Sequence, residues 1–370
     1  MKIKVWDYLK EYENEKEEVY QAIEEVLTSG YLILGEKVRR FEEEFSNYCG
    51  TKYGVGVDNG TDAIFLALKA LGIDKGDEVI TVSNTAVPTV SAITATGATP
   101  VFVDVEPDTC LMNTNLVEKA ITDNTKCILP VHLFGQCVNM NKINELAQKY
   151  KVAVIEDCAQ SHGAEIEGKL AGSMSDLATF SFYPTKILGG YGDGGMVITD
   201  DQKMFEKLKR LRFYGMEKTY YSLEQGYNSR LDEIHASILL KKLQHINEYI
   251  DRRRFLAKQY DLLLRNTSLI LPVEKENRKH AYYIYVVQHP KRDLIIEELK
   301  KKEIFVNISY PWPIHTMDGF IYLGYKVGDL PITEMLATQI FSLPLFPSLT
   351  EDEQMIVVNA LIEILNRYNI

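Results

Sequence analysis

The chain has no apolar run approaching the roughly 20 residues needed to cross a bilayer, so no membrane span is expected. Its opening stretch, MKIKVWDYLKEYENEKEE, is acidic and lacks the apolar core of a secretory signal. The expected location is the cytoplasm. Cysteine is sparse: Cys49, Cys110, Cys127, Cys137 and Cys158 are odd in number, and no pair has C-x-x-C spacing. Neither a disulfide framework nor a zinc site is expected. Cys127, in KCILPV, reads as a buried thiol. Positive charge is also short, with 41 Lys and Arg against 52 Asp and Glu and a formal net charge of -11. That argues against a nucleic-acid partner, which needs a concentrated basic face. A local positive pocket for a small anion remains compatible with an acidic protein. Repeats, low-complexity tracts and disordered linkers are missing too.

What is present is 370 residues, enough for one large domain and a smaller one, with 46% hydrophobic and 25% charged residues. Short β-rich runs alternate with helical patterns between residues 50 and 200. The strands expected are Tyr53–Val57, Glu78–Val82, Thr99–Val103, Lys126–Val131, Val152–Glu156, Leu177–Phe182 and Met196–Thr199. Asp62–Leu71, Val87–Thr96 and Met140–Tyr150 read as helices between them. The alternation predicts an α/β fold with a mostly parallel sheet. CILPV and VAVIE are continuously apolar, as strands covered on both faces are. Longer helical segments follow at Asp201–Arg212 and Leu231–Leu264, then AYYIYVV, RDLIIEELKKK and an amphipathic Glu351–Arg367. The division expected is a large α/β domain over residues 1–250 and a smaller α+β domain over 251–370.

Ligands of open α/β sheets collect at the carboxyl ends of strands, so chemistry is sought in the loops that follow them. Gly190-Tyr-Gly-Asp-Gly-Gly195 matches G-x-G-x-x-G, but a β-rich run follows where a dinucleotide site needs a helix. Gly163-AEIE-Gly168-Lys169-Leu170 has P-loop spacing but puts Leu170 where Mg²⁺ needs a hydroxyl. Three features carry more. VAVIE ends in Asp157, with Gln160 and His162 just beyond; the Asp alone reads equally as a turn or cap. Asn59-Gly60-Thr61 opens an apolar helix after a strand, which is either an anion-binding start or simple capping by Thr61. LATFSF ends near Ser181, and Lys186 stands in the irregular SFYPTKILGGYGDGG that follows. A loop lysine is usually an exposed charge; a half-buried one is a candidate nucleophilic amine. Together, a phosphate-ready helix start, a strand-end carboxylate and a lysine are the groups that pyridoxal 5′-phosphate (PLP) requires.

The chain resembles the fold-type I, PLP-dependent sugar aminotransferases of the DegT family. The likeness runs from SGYLILGEKVRRFEEEF through VDNGTDAIFLALKALGIDKGDEVITVSNT, PVHLFGQ, VIEDCAQSHGA and SFYPTKILGGYGDGGMVIT to GYNSRLDEIHA, ISYPWPIH and LPLFPSLTEDE. The resemblance implies that Lys186 bonds the cofactor and moves the proton, and that Asp157 pairs with the pyridine nitrogen. It implies that Gln160 contacts the 3-oxygen and that Gly60, Thr61 and Ser181 hold the phosphate. Asn228 of G-x-N-x-R would reach the phosphate of a neighbouring subunit, which implies a homodimer with shared sites. Tyr183, Tyr310 and His315 would lie by a sugar substrate. Two positions depart from the family: Ala86, where an aromatic residue usually covers the ring, and Ile187, where Asn usually follows the lysine.

The function this implies is transfer of an amino group from L-glutamate, through pyridoxamine 5′-phosphate as intermediate, to a nucleotide-linked keto-deoxysugar. VSNTAVPTVSAI and RFYGMEKTYYSLEQGYNSRLDE most resemble members acting at C3 of dTDP-linked 3-keto-6-deoxyhexoses. The alternatives are C4 amination of a 4-keto sugar, a PLP-fold sugar dehydratase, which would carry His at the position of Lys186, and a regulator that has lost catalysis.

Overall fold

The computed structural model describes residues 2–370. Two helices, α1 (Tyr8–Ser29) and α2 (Glu36–Cys49), precede the first strand. The central sheet then forms from β1 (Tyr53–Val57), β2 (Glu78–Val82), β3 (Thr99–Val103), β4 (Thr125–Ile128), β5 (Ala153–Asp157), β6 (Leu177–Ser181) and β7 (Gly195–Thr199). Between them run α3 (Gly60–Ala70), α4 (Val87–Ala95), α5 (Thr114–Ala120) and α6 (Met140–Tyr150). The strand order is β1-β7-β6-β5-β4-β2-β3. All neighbours pair in parallel except at β7, which is antiparallel to β1 and β6. The sheet is mostly parallel, as expected, and α/β.

Alternation along the strands builds two cores. Leu177 of β6 and Val197 of β7 face one apolar cluster, shared with Ile64 and Leu68 of α3 and Leu146 of α6. Ala178, Phe180, Met196 and Ile198 face the other, with Phe41 and Phe45 of α2. Successive side chains of a strand point to opposite faces, so one buried run of residues serves both layers. On β1 the second face is glycine: a Cβ on Gly54 would lie 2.7 Å from the Glu42 carbonyl oxygen, so α2 rests directly on the strand backbone.

Beyond the sheet come α7 (Gln202–Leu211), α8 (Glu233–Leu243) and α9 (Ile246–Leu264). The single helix expected over Leu231–Leu264 is therefore two. Gln244 and His245 donate backbone hydrogen bonds to Lys241 and Lys242, three residues back, which tightens the end of α8 and redirects the chain. No Gly or Pro announces that break.

The last third adds α10 (Arg292–Lys301), α11 (Pro331–Gln339), α12 (Glu351–Tyr368) and an antiparallel pair, β8 (Tyr285–Gln288) with β9 (Ile340–Leu343). These elements enclose their own apolar cluster, with Tyr260, Leu299, Phe341 and Leu361. The boundary expected after residue 250 falls inside α9. Its first half packs Ile246 and Ile250 against the α2 side of the sheet, and its second half gives Leu256, Ala257, Tyr260 and Leu264 to the C-terminal cluster. Among the described residues no helix is long and apolar enough to cross a membrane.

Candidate active site

The carboxyl ends of β1, β5 and β6 open on one cavity of about 280 Å³, with Gly60, Thr61, Asp157, Gln160, Ser181 and Lys186 in its wall. Each arrives there for a local reason. The Asn59 side chain caps α3 by accepting from the Asp62 N–H at 2.8 Å, so Asn59 performs the capping that the sequence left to Thr61. The first-turn N–H groups of Gly60 and Thr61 have no partner four residues back and carry the positive end of the helix dipole. Gly60 is required by contact: a Cβ there would lie 2.7 Å from Cβ of Ser181. Ser181 closes β6, and its Oγ accepts from the Tyr183 N–H at 3.3 Å, leaving its own proton free to donate.

Asp157 ends β5 and is 3% exposed. Its Oδ1 accepts from the Ala159 N–H at 3.1 Å and its Oδ2 from the Thr89 hydroxyl at 2.8 Å. Burial pushes the carboxyl above its ordinary range, and the two hydrogen bonds and the charge of Lys186 oppose that shift. Gln160 is oriented from both ends. Its Oε1 accepts from the Phe134 N–H at 2.9 Å and its Nε2 donates to the Tyr310 hydroxyl at 2.6 Å. The amide is thereby set with its nitrogen, which has a second proton, on the Tyr310 side. Burial raises the phenol of Tyr310.

Lys186 is half-buried, and its Nζ lies 4.7 Å from the ring centroid of Tyr283. The glycines around it are there for close approach. Cβ atoms on Gly189 and Gly195 would lie 2.3 Å from the carbonyl oxygens of Pro184 and Asn59. Ile187 is buried in the apolar cluster with Phe41 and Leu188. Ala86 does line the cavity, and Tyr183 is the one aromatic residue in its wall among the described residues.

Three candidates lie elsewhere. His315 is buried away from this cavity, with Nδ1 2.8 Å from Ser83 Oγ and Nε2 3.1 Å from Glu334 Oε1. It ties the segment after Tyr310 to the end of β2 and to α11. His162 packs against Phe45, Phe180 and Phe182, and burial holds it neutral with a pKa pushed down to about 3. Asn228 is exposed, one residue before Ser229, whose Oγ accepts from the Asp58 N–H at 3.2 Å. Sequence reasoning did not find Thr89 or Tyr283. Thr89 carries one weak signal, its i, i+4 spacing from Thr85, and Tyr283 carries none.

His132, Glu156 and Cys158 also come together, behind the cavity. The His132 ring accepts from the Val138 N–H and meets Glu156 at 2.9 Å, while Glu156 takes donors from Gly172, Met174 and Ser175. These hydrogen bonds engage His132 and Glu156.

The cavity fits a pyridine phosphate. Free N–H donors, a glycine whose Cβ would fill the cradle, and a serine proton converge at one end, and a buried carboxylate and an amine share the same wall. This combination is that of PLP-dependent transferases. The chain belongs to the DegT/DnrJ/EryC1/StrS aminotransferase family, whose model matches residues 13–362. It is 52% identical over 98% of both chains to the dTDP-3-amino-3,4,6-trideoxy-alpha-D-glucose transaminase of Micromonospora megalomicea subsp. nigra. It is 42% identical, again over 98% of both, to a pleiotropic regulatory protein of Geobacillus stearothermophilus. DesV of S. venezuelae, solved in complex with a ketimine intermediate, superposes with a TM-score of 0.96 at 39% identity, covering 98% of each chain. Similar solved structures hold the cofactor in its pyridoxal and pyridoxamine forms. The protein is a PLP-dependent sugar aminotransferase.

Proposed function

We propose that the chain moves the amino group of L-glutamate to C3 of a dTDP-linked 3-keto-6-deoxyhexose, in the cytoplasm, as a homodimer. The observation that carries this is the convergence of Lys186 and Asp157 on one phosphate-ready cavity. The C3 assignment is supported by the name of the Micromonospora relative.

PLP, when bound, supplies an electron sink that lets an amine be exchanged for a carbonyl. The residues around it do the rest. The N–H groups of Gly60 and Thr61 and the Ser181 hydroxyl bind the phosphate. The Asp157 carboxylate would accept a hydrogen bond from the protonated pyridine nitrogen and so keep the proton on that nitrogen. The Nε2 of Gln160 donates to the ring oxygen. Lys186 Nζ would be the amine that holds the cofactor covalently and the acid/base that moves the proton during the exchange. Tyr183, in the cavity wall, and Tyr310, bonded to Gln160, would contact the sugar, and the exposed Asn228 is free to reach a neighbouring subunit's phosphate. His315, engaged at both nitrogens, acts by holding the Tyr310 segment in place.

Removing the amine tests this reading: Lys186→Ala should abolish turnover and the visible absorbance of the cofactor–lysine bond, and retention of both would refute it. Assays with dTDP-linked 3-keto and 4-keto sugars test the carbon; amination of the 4-keto sugar alone would move the assignment to C4. A regulatory reading draws on the name of the Geobacillus relative. Glutamate separates the two, since a catalyst converts bound PLP to the pyridoxamine form.

A further inference from the structure

We propose that Tyr283 is a positioning residue for Lys186, docking the lysine's ammonium on its ring face whenever the amine is not bonded to the cofactor. This rests on the reading of Lys186 given above. The Nζ lies 4.7 Å from the Tyr283 centroid, within the range of a cation–π contact. No hydrogen bond or ion pair reaches that Nζ among the described residues.

Tyr283 is held at three points, one on its ring and two on its backbone. Its hydroxyl lies 3.0 Å from Oγ1 of Thr185, the residue before the lysine and 98 positions away in sequence. Its carbonyl accepts from Nη1 of Arg253 at 3.0 Å, and Arg253 is itself buried. Its N–H passes so close to Gly135 that a Cβ there would lie 2.8 Å away, and Gly135 has φ of +110°, so a side chain at that position is strained on both counts. Tyr283 thus reaches from the chain entering β8 to the lysine loop and grips that loop by its hydroxyl and the lysine by its face.

The chemistry suits a reactive amine. A lysine displaced in each half-reaction must wait nearby and return. A carboxylate partner would fix the ammonium in a strong, directional ion pair, whereas a ring face holds it loosely and without direction. Two carboxylates share the cavity wall, Asp157 and Asp193; Asp157 is engaged by Ala159 and Thr89 instead, and neither forms an ion pair with Lys186 among the described residues.

The test uses Tyr283→Phe, which keeps the face and loses the hydroxyl, against Tyr283→Leu and Tyr283→Met, which lose the face. In cofactor-free protein, the rate at which trinitrobenzenesulfonate labels Lys186 is followed by peptide mass spectrometry, with thermal melting as the check on folding. Leu should raise the rate about two- to fivefold, the range of an exposed cation–π contact, and Phe should stay near wild type. In loaded enzyme, Leu should lower kcat for the glutamate half-reaction more than it changes KM, with Phe restoring most of the loss. Met carries the same expectation should Leu fail to fold. Equal labelling in Phe and Leu would assign the effect to the Thr185 contact, and unchanged labelling in Leu and Met would remove the docking altogether; either result overturns the proposal. Wild-type protein that fails to convert its cofactor with glutamate would instead bring down the reading of Lys186 itself.

Discussion

The Thr89 hydroxyl donates to Oδ2 of Asp157 at 2.8 Å and lies 3.1 Å from the hydroxyl of Thr85, which precedes α4. Both threonines are buried. Asp157 therefore faces the cavity with one donor already on each oxygen, and the remaining acceptor positions are left for a ligand. A hydroxyl from α4 thus helps a carboxylate on β5 stay ionised in a place that burial makes costly for charge.

Thr89→Val should weaken cofactor binding roughly tenfold or more, since a hydrogen bond to a charged group contributes about 1.5–3 kcal/mol. Thr89→Ser should recover most of the affinity. Equilibrium titration of cofactor absorbance measures both, and equal affinity in the Val variant would show that Asp157 does not depend on this donor.

Gly60→Ala should impair the cradle through contact alone. The new methyl would meet Cβ of Ser181 at 2.7 Å, so α3 or the end of β6 must shift. Overpacking of this kind costs about 1–3 kcal/mol. The expected signature is a lower melting temperature without cofactor and a larger loss of phosphate-dependent affinity than Thr61→Ala shows.

Glu233 accepts from three backbone N–H groups at the start of α2, those of Gly35, Lys37 and Val38, at 2.8 to 2.9 Å. It is a cap supplied by a residue almost 200 positions away. Glu233→Gln replaces one acceptor oxygen with a donor that faces N–H groups. A loss of about 2–3 kcal/mol in denaturant unfolding follows, with kcat little changed in protein that remains folded.

Stability should fall on mild acidification. His162 and His280 are buried, and burial pushes each down from 6.5 to about 3. The unfolded chain gains both protons below pH 6.5 while the folded chain does not, so stability declines as pH drops through the window from 6.5 to 3. The limiting slope from two such groups is roughly 2.7 kcal/mol per pH unit. Denaturant midpoints between pH 7 and pH 5 measure it, and His162→Gln should roughly halve the dependence. An unaltered slope would mean that His162 takes up its proton in the fold.

The most legible parts were those that strand ends announce. Asp157 and Ser181 close continuous apolar runs, and the switch from strand to glycine-rich loop marks Lys186. Gln160 follows from its nearness to Asp157. His162, on the same argument, does not reach the cavity, because the chain turns after Gln160 and delivers the ring into three phenylalanines. Asn59 and Thr61 are both good capping residues in the sequence, and only the start of the helix decides between them. The break after Leu243 has no breaker residue. Tyr283, Glu233 and the tie of His315 to Ser83 depend on contacts across 98 or more residues, which local pattern does not encode.

The lysine loop joins two neighbouring strands of the central sheet, β6 and β7, in which every residue is buried. Redesign of substrate range therefore has two unequal halves. On the lysine side, a residue inserted in either strand would slip the pairing and turn Ser181 away from the cradle, and Gly189 and Gly195 leave no room for side chains. Across the cavity, Ala86 presents only a methyl group on a helix cap. Directed evolution should find its beneficial changes on that far wall and almost none around Lys186.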